Sequence, residues 1–108
     1  MQQAQLLKGV LEIAVLAVLS EGETYGYDIL SRLEAAGLNG VGDASVYGTL
    51  RRLEQAGHLR PRLENSANGP ARKYYEVTES GRETYAESTG TWQRIERALN
   101  TLMDGKRG

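Results

Sequence analysis

The hydrophobic pattern changes its period along the chain, and each change marks an element. Residues 10–19 are apolar at every position except Glu12. They predict a helix over 5–19 that is apolar on nearly every side. Such a helix needs neighbours on two sides, and one small domain rarely supplies both. Ser20-Glu21-Gly22-Glu23 ends it, with Gly22 suited to the left-handed position after a helix. A second helix is predicted over 27–36, with Ile29, Leu30 and Leu33 turned inward, and a glycine-rich turn follows over 37–42. Asp43 is the expected N-cap of a third helix over 44–56, closed by Gly57. Val46, Leu50 and Leu53 share one face of that helix, which leaves Ser45, Gly48, Thr49, Arg51 and Arg52 to solvent or a partner.

After Gly57 the period falls to two. Residues 58–64 and 73–77 alternate polar and apolar, and 65–70 between them are turn-forming types. The pattern predicts a β-hairpin with a long tip. Thr78 then caps a last helix that runs to Asp104. Its apolar positions Tyr85, Trp92, Ile95, Leu99 and Leu102 step by 7, 3, 4 and 3, a heptad seam with Ser88 in one slot. Gly81 and Gly90 each cost about 1 kcal/mol relative to Ala, so packing must hold this helix.

Composition removes several classes of function. The 108 residues suffice for one compact core. The absence of Cys excludes disulfides, thiolate metal sites and cysteine nucleophiles, and a single histidine, His58, excludes multi-histidine sites. His58 has no acid partner in sequence and is read as structural or as a phosphate neighbour. No glycine string joins a strand to a lysine-bearing helix, so the glycines are turn residues rather than a phosphate cradle. With no paired carboxylates, metal cluster or activated nucleophile, an enzyme is the weakest reading, and no cofactor or metal is expected. The apolar run is far short of the ~20 residues that span a bilayer, and the expected location is the cytoplasm.

Charge redirects the argument. The net charge is −1, unlike that of a generic nucleic-acid binder. Its distribution is uneven: residues 1–43 carry a net −4, residues 44–78 a net +3, and residues 79–108 balance. Three helices followed by a hairpin, with cations on the third helix and the hairpin, describe an α+β winged helix-turn-helix. The major groove admits one helix, and its exposed start must be small enough to reach base edges. Ser45, Gly48 and Thr49 meet that limit, while Arg51 and Arg52 suit phosphates or a guanine edge. Arg72 and Lys73 on the hairpin suit the flanking backbone. Tyr47 fits a packed aromatic as well as a phosphate contact. Tyr74 and Tyr75 alternate on a strand, one under the wing and one outward.

At these residues a resemblance emerges. Gly26-Tyr27-Asp28-Ile29, then Ser45-Val46-Tyr47 with Leu50-Arg51-Arg52-Leu53-Glu54 and Gly57, resemble the PadR-like transcriptional regulators. So do Arg72-Lys73-Tyr74-Tyr75 and Val77-Thr78-Glu79-Ser80-Gly81, and the likeness extends over 6–103. It implies a homodimeric, ligand-responsive repressor on a palindromic operator. A winged-helix unit, 1–78, would carry a dimerisation helix, 79–108, that packs on the partner's first helix through Tyr85, Trp92, Ile95, Leu99 and Leu102. Many family members have proline where Gly48 stands here. The short C-terminal region resembles the compact subfamily, in which a tryptophan of the last helix sandwiches flat aromatic drugs in a pore between subunits. By that resemblance Trp92, Leu6, Gly9, Ile13 and Thr89 would line the pore, and Glu12 and Glu96 would favour planar cations. Trp92 is first of all a dimer-core residue, with ligand contact a secondary role, and Glu12 is equally a partner for a cation of the second subunit. The rival from another class is a winged-helix module that binds protein or small molecules without specific DNA contact.

Overall fold

A computed structural model describes residues 6, 7 and 9–105. The expected helix start at residue 5 and the last three residues of 79–108 lie outside the described residues. The apolar segment is not one continuous helix. Leu6 and Leu7 are helical, the chain turns at Gly9–Val10, and helix α1 covers Leu11–Ser20. Val10 donates to the Leu7 carbonyl three residues back and has ψ near 0°, so the α-helical ladder is interrupted there. Leu11, Val15, Leu16 and Leu19 are buried, whereas Ile13, Ala14, Ala17 and Val18 are only half-buried.

Strand β1 is Thr24–Tyr25, helix α2 is Gly26–Ala35 and helix α3 is Asp43–Gln55. Asp43 is not the cap of α3: Gly42 holds that position with no side-chain hydrogen bond, and Asp43 lies in the first turn. There its charge still complements the helix dipole. Helix α3 ends as the pattern predicts. Gly57 has φ +83°, and Gly57 and His58 donate to the Glu54 and Leu53 carbonyls, both at 2.9 Å. A left-handed residue at this spot lets both late carbonyls be satisfied.

Strands β2, Leu59–Ser66, and β3, Gly69–Val77, form the hairpin. They are longer than expected. Ser66 pairs with Gly69, so the tip is a two-residue turn at Ala67–Asn68 rather than a loop over 65–70, with an irregularity between Glu64 and Ser66. β1 also pairs antiparallel with β3, which gives the order β1-β3-β2. A two-residue strand leaves too short a pattern to be read from periodicity.

The core joins Val15, Leu16, Ile29, Val46, Leu50 and Leu53 from three helices to Leu59, Tyr75 and Val77 of the sheet. Helix α4, Glu79–Asp104, follows Thr78, whose side chain accepts the Gly81 N–H at 3.1 Å and donates to the Gly57 carbonyl at 2.7 Å. Gly81 is there for closeness. A Cβ at that point would stand 2.2 Å from the His58 carbonyl oxygen. His58 itself is structural in this chain: Nδ1 lies 3.0 Å from Ser80 Oγ and Nε2 lies 3.4 Å from Thr84 Oγ1. From residue 91 onward every described residue of α4 is exposed. The radius of gyration is 15.9 Å, against about 13 Å for a compact domain of this length. The excess is the projecting helix.

Candidate nucleic-acid interface

Helix α3 presents Ser45, Tyr47, Arg51 and Arg52 to solvent, with Gly48 half-buried, and runs unbroken through Gly48. A Cβ at Gly48 would make only an ordinary contact, 3.7 Å from Arg52 Nη1. Nothing within the subunit therefore demands glycine at this position. Thr49 corrects the sequence reading. It is 0% exposed, and its hydroxyl donates to the Ser45 carbonyl at 2.8 Å. It packs beside Val46, Leu50 and Leu53 and has no surface to offer to a groove. Burial of a threonine on the inner face is invisible in the pattern because its type is polar.

Tyr47 packs as an aromatic and keeps an open surface. Its ring lies on the bare backbone of Gly26, where a Cβ would come within 2.3 Å of Cε1, yet the residue stays 43% exposed. Its location between α3 and the start of α2 opens a small hollow of 290 Å³ that Arg72 and Lys73 also line.

The wing cations are organised by acids drawn from elsewhere in the chain. Arg60 pairs with Glu76 at 2.7 Å. Arg62 holds both Glu23, from the turn before β1, and Glu64. Its guanidinium remains more firmly protonated than usual, chiefly through the Glu23 hydrogen bond. Lys73 Nζ lies 3.0 Å from Glu54 Oε1 on α3, and that bond holds its ammonium above the ordinary lysine value. Burial pushes the Tyr75 phenol upward, against the pull of nearby Lys73. Arg52 Nε lies 3.8 Å from Glu12 Oε2 on α1, and its Nη2 donates to Thr49 Oγ1 at 3.1 Å. Glu12 thus finds a cation in its own subunit.

Arg51 and Arg72 differ from the others. Among the described residues neither has a carboxylate partner within ion-pair distance. Arg72 instead lies over the Tyr25 ring at 4.5 Å, and Tyr25 meets Tyr74 at 5.4 Å, with Arg62 over Tyr74 at 5.2 Å. This ladder of guanidinium and ring faces stiffens the wing. Tyr25 escaped the sequence reading because its strand did. The pairing register starts Arg72 and Lys73 toward opposite faces of the hairpin, although both side chains reach the hollow beside Tyr47.

Behind α3, a cleft of 260 Å³ separates the start of α1 from α4. It brings together Gly9, Glu12, Ile13 and Trp92, four of the expected pore residues. Leu6, Thr89 and Glu96 do not line it. Leu6 is 64% exposed, and the Thr89 hydroxyl is turned back to the Ala86 carbonyl at 2.9 Å. Glu87, Ser88, Thr91 and Ile95 take their place. Ser88, Thr91 and Ile95 lie to one side of Trp92 on the helix and Thr89 and Glu96 to the other, and spacing alone does not tell which side faces the cleft. Among the seam residues, Tyr85 is half-buried against its own subunit's core. Trp92, Ile95, Leu99, Leu102 and Met103 are exposed.

Among the described residues no cluster of acids and histidine has the makings of a metal site, and no helix is long and apolar enough to cross a membrane. Comparison with known proteins gives a consistent picture. Residues 15–87 match the sequence profile described as the transcriptional regulator PadR-like family. A solved PadR-like transcriptional regulator of Bacillus cereus is 36% identical, with 94% of this chain and 98% of that chain covered and a TM-score of 0.83. A Streptococcus transcriptional regulator is 31% identical over 92% of this chain and 97% of its own, with a TM-score of 0.80. An uncharacterised protein of Lysinibacillus sphaericus is 24% identical over 107 residues, 97% of this chain and 98% of that protein.

Proposed function

The chain belongs to the PadR-like family of transcriptional regulators, and from that premise we propose that it is a ligand-responsive repressor acting as a homodimer on a palindromic operator. As a family member it is a DNA-binding regulator and not an enzyme. In our reading α3 enters the major groove with Ser45 and Gly48 toward the bases and Arg51 toward a phosphate or a guanine edge. Arg72 on the wing meets the flanking backbone. Arg52 and Lys73 act from ion pairs with Glu12 and Glu54. Residues 1–78 form the reading unit, and 79–108 dimerise through the exposed seam of Trp92, Ile95, Leu99 and Leu102. The cleft beside Trp92 takes a planar aromatic or cationic effector between subunits. That effector changes the separation of the wings and with it the grip on two half-sites about 34–36 Å apart. The cytoplasm is the compartment that suits this role.

The observation that carries the DNA reading is the pair of cations that meet no carboxylate among the described residues, Arg51 on α3 and Arg72 on the wing. Binding of a labelled duplex from upstream of its own gene, followed against salt, tests it. Arg51→Ala lowers the salt slope by about 0.9 per subunit, the signature of one lost phosphate contact. Lys73→Ala lowers it less, because Glu54 already shares that charge. A module without specific DNA contact is the second reading, favoured by the pairing of Arg60, Arg62 and Lys73 with acids. Wild-type slopes in both Arg51→Ala and Lys73→Ala place the DNA surface elsewhere, and a wild-type chain that does not shift the upstream duplex selects the module.

A further inference from the structure

Glu12 stands where the cleft and the reading helix meet. Its side chain lines the cleft beside Trp92, and its Oε2 lies 3.8 Å from Arg52 Nε. Arg52 belongs to α3, one residue beyond Arg51, and its Nη2 is also held by the buried Thr49 hydroxyl. A single carboxylate therefore serves a small-molecule cleft on one side and a DNA-facing arginine on the other. Glu87 is the second acid of the cleft, and among the described residues it pairs with no cation. It attracts a positive occupant without reporting it to α3.

We propose that Glu12 is a shared carboxylate through which the charge of a cleft occupant is reported at the DNA surface. With the cleft empty, Glu12 draws Arg52 toward α1. A cationic occupant takes the carboxylate and leaves the guanidinium to a phosphate of the duplex. The inference rests on the cleft binding small molecules as read above, and it adds what the charge of that ligand does.

The physical basis is competition between two weak partners. The Glu12–Arg52 pair is long and both side chains are about half exposed, so it is easily replaced. A cation stacked on Trp92 is partly removed from water, where its attraction to the same carboxylate is stronger. A neutral occupant of the same shape fills the slot and leaves the pair intact. Linkage makes the effect reciprocal: a phosphate that engages Arg52 frees Glu12 for the cation. This local contribution tightens DNA binding and opposes release through wing separation, so cationic and neutral effectors of one shape act differently.

Two dyes of matched shape, N-methylacridinium and acridine, test the cleft side by calorimetry on the full chain, at a mildly alkaline pH where acridine is neutral. Arg52→Ala tightens N-methylacridinium on the order of twofold to fivefold, the worth of an exposed ion pair, and leaves acridine unchanged. The DNA side needs no dye. Glu12→Gln raises affinity for a labelled duplex and steepens the salt slope by about 0.9 per subunit, and adding Arg52→Ala cancels both gains. An equal response of the two dyes to Arg52→Ala, or a wild-type salt slope in Glu12→Gln, overturns the shared carboxylate alone. Failure of both dyes to bind the wild-type chain overturns the cleft reading and this proposal together.

Discussion

From α1 to β3 the chain covers most of its large apolar side chains, Tyr27, Tyr47 and Leu63 excepted, whereas along the outer half of α4 every one of them is exposed. Leu16, Ile29, Leu50 and Leu53 are each at most 2% exposed, while Trp92 is 39% and Leu102 73% exposed. Both regions have amphipathic helices of ordinary kind. They differ in what lies opposite. Helices α2 and α3 pack against α1 and the sheet, but α4 touches the body mainly through its first turns, clamped by Thr78 and Gly81, and then leaves it. An apolar stripe shows that something must cover it, and only geometry shows whether the cover is in the same chain. In the body the cover is internal. On α4 the described residues supply no cover, and in the function proposed above a second subunit provides it, with the half-buried side of α1 as the matching surface.

That contrast can be broken at either end. Leu50→Ala, in the closed core, removes about 2–5 kcal/mol of stability, read as a lowered midpoint in denaturant unfolding. Ile95→Asp does the opposite kind of damage. It leaves the circular dichroism of the body intact while weakening self-association on the order of a hundredfold, seen by sedimentation, because a charge would have to be buried in an apolar seam. A well-folded wild-type monomer at working concentration sinks the seam assignment outright. Thr78→Ala probes the joint between the regions and costs about 1 kcal/mol, the worth of a helix cap. Its expected sign is a thermal midpoint lowered by a few degrees, with DNA affinity at saturating protein unchanged.

Much of the fold was legible in the sequence. Ile29, Leu33, Val46, Leu50 and Leu53 sit inward as their spacing predicts, and the two glycines Gly37 and Gly57 end their helices with φ of +102° and +83°. What failed was local or short. The helix expected over 5–19 breaks at Gly9–Val10, where the only mark is a glycine next to Lys8, β1 is only two residues long, and the hairpin strands extend through residues that look like turn formers. The candidate site was legible by position and less so by role. Arg51 and Arg52 are neighbours in sequence, yet among the described residues one meets no carboxylate and the other leans toward Glu12 on a different helix.

Side-chain order by itself determined the helices, the hairpin, the seam along α4 and the concentration of positive charge in the middle of the chain. These depend on periodicity and turn chemistry, which act over a few residues. Tertiary structure decided which of those charges meet a carboxylate among the described residues, that Thr49 is core, that Tyr85 leans on the core and that Trp92 shares a cleft with Glu12. Each of these depends on contacts between residues far apart along the chain. Electrostatic pairing and burial follow distance in space, and the folded backbone alone sets that distance.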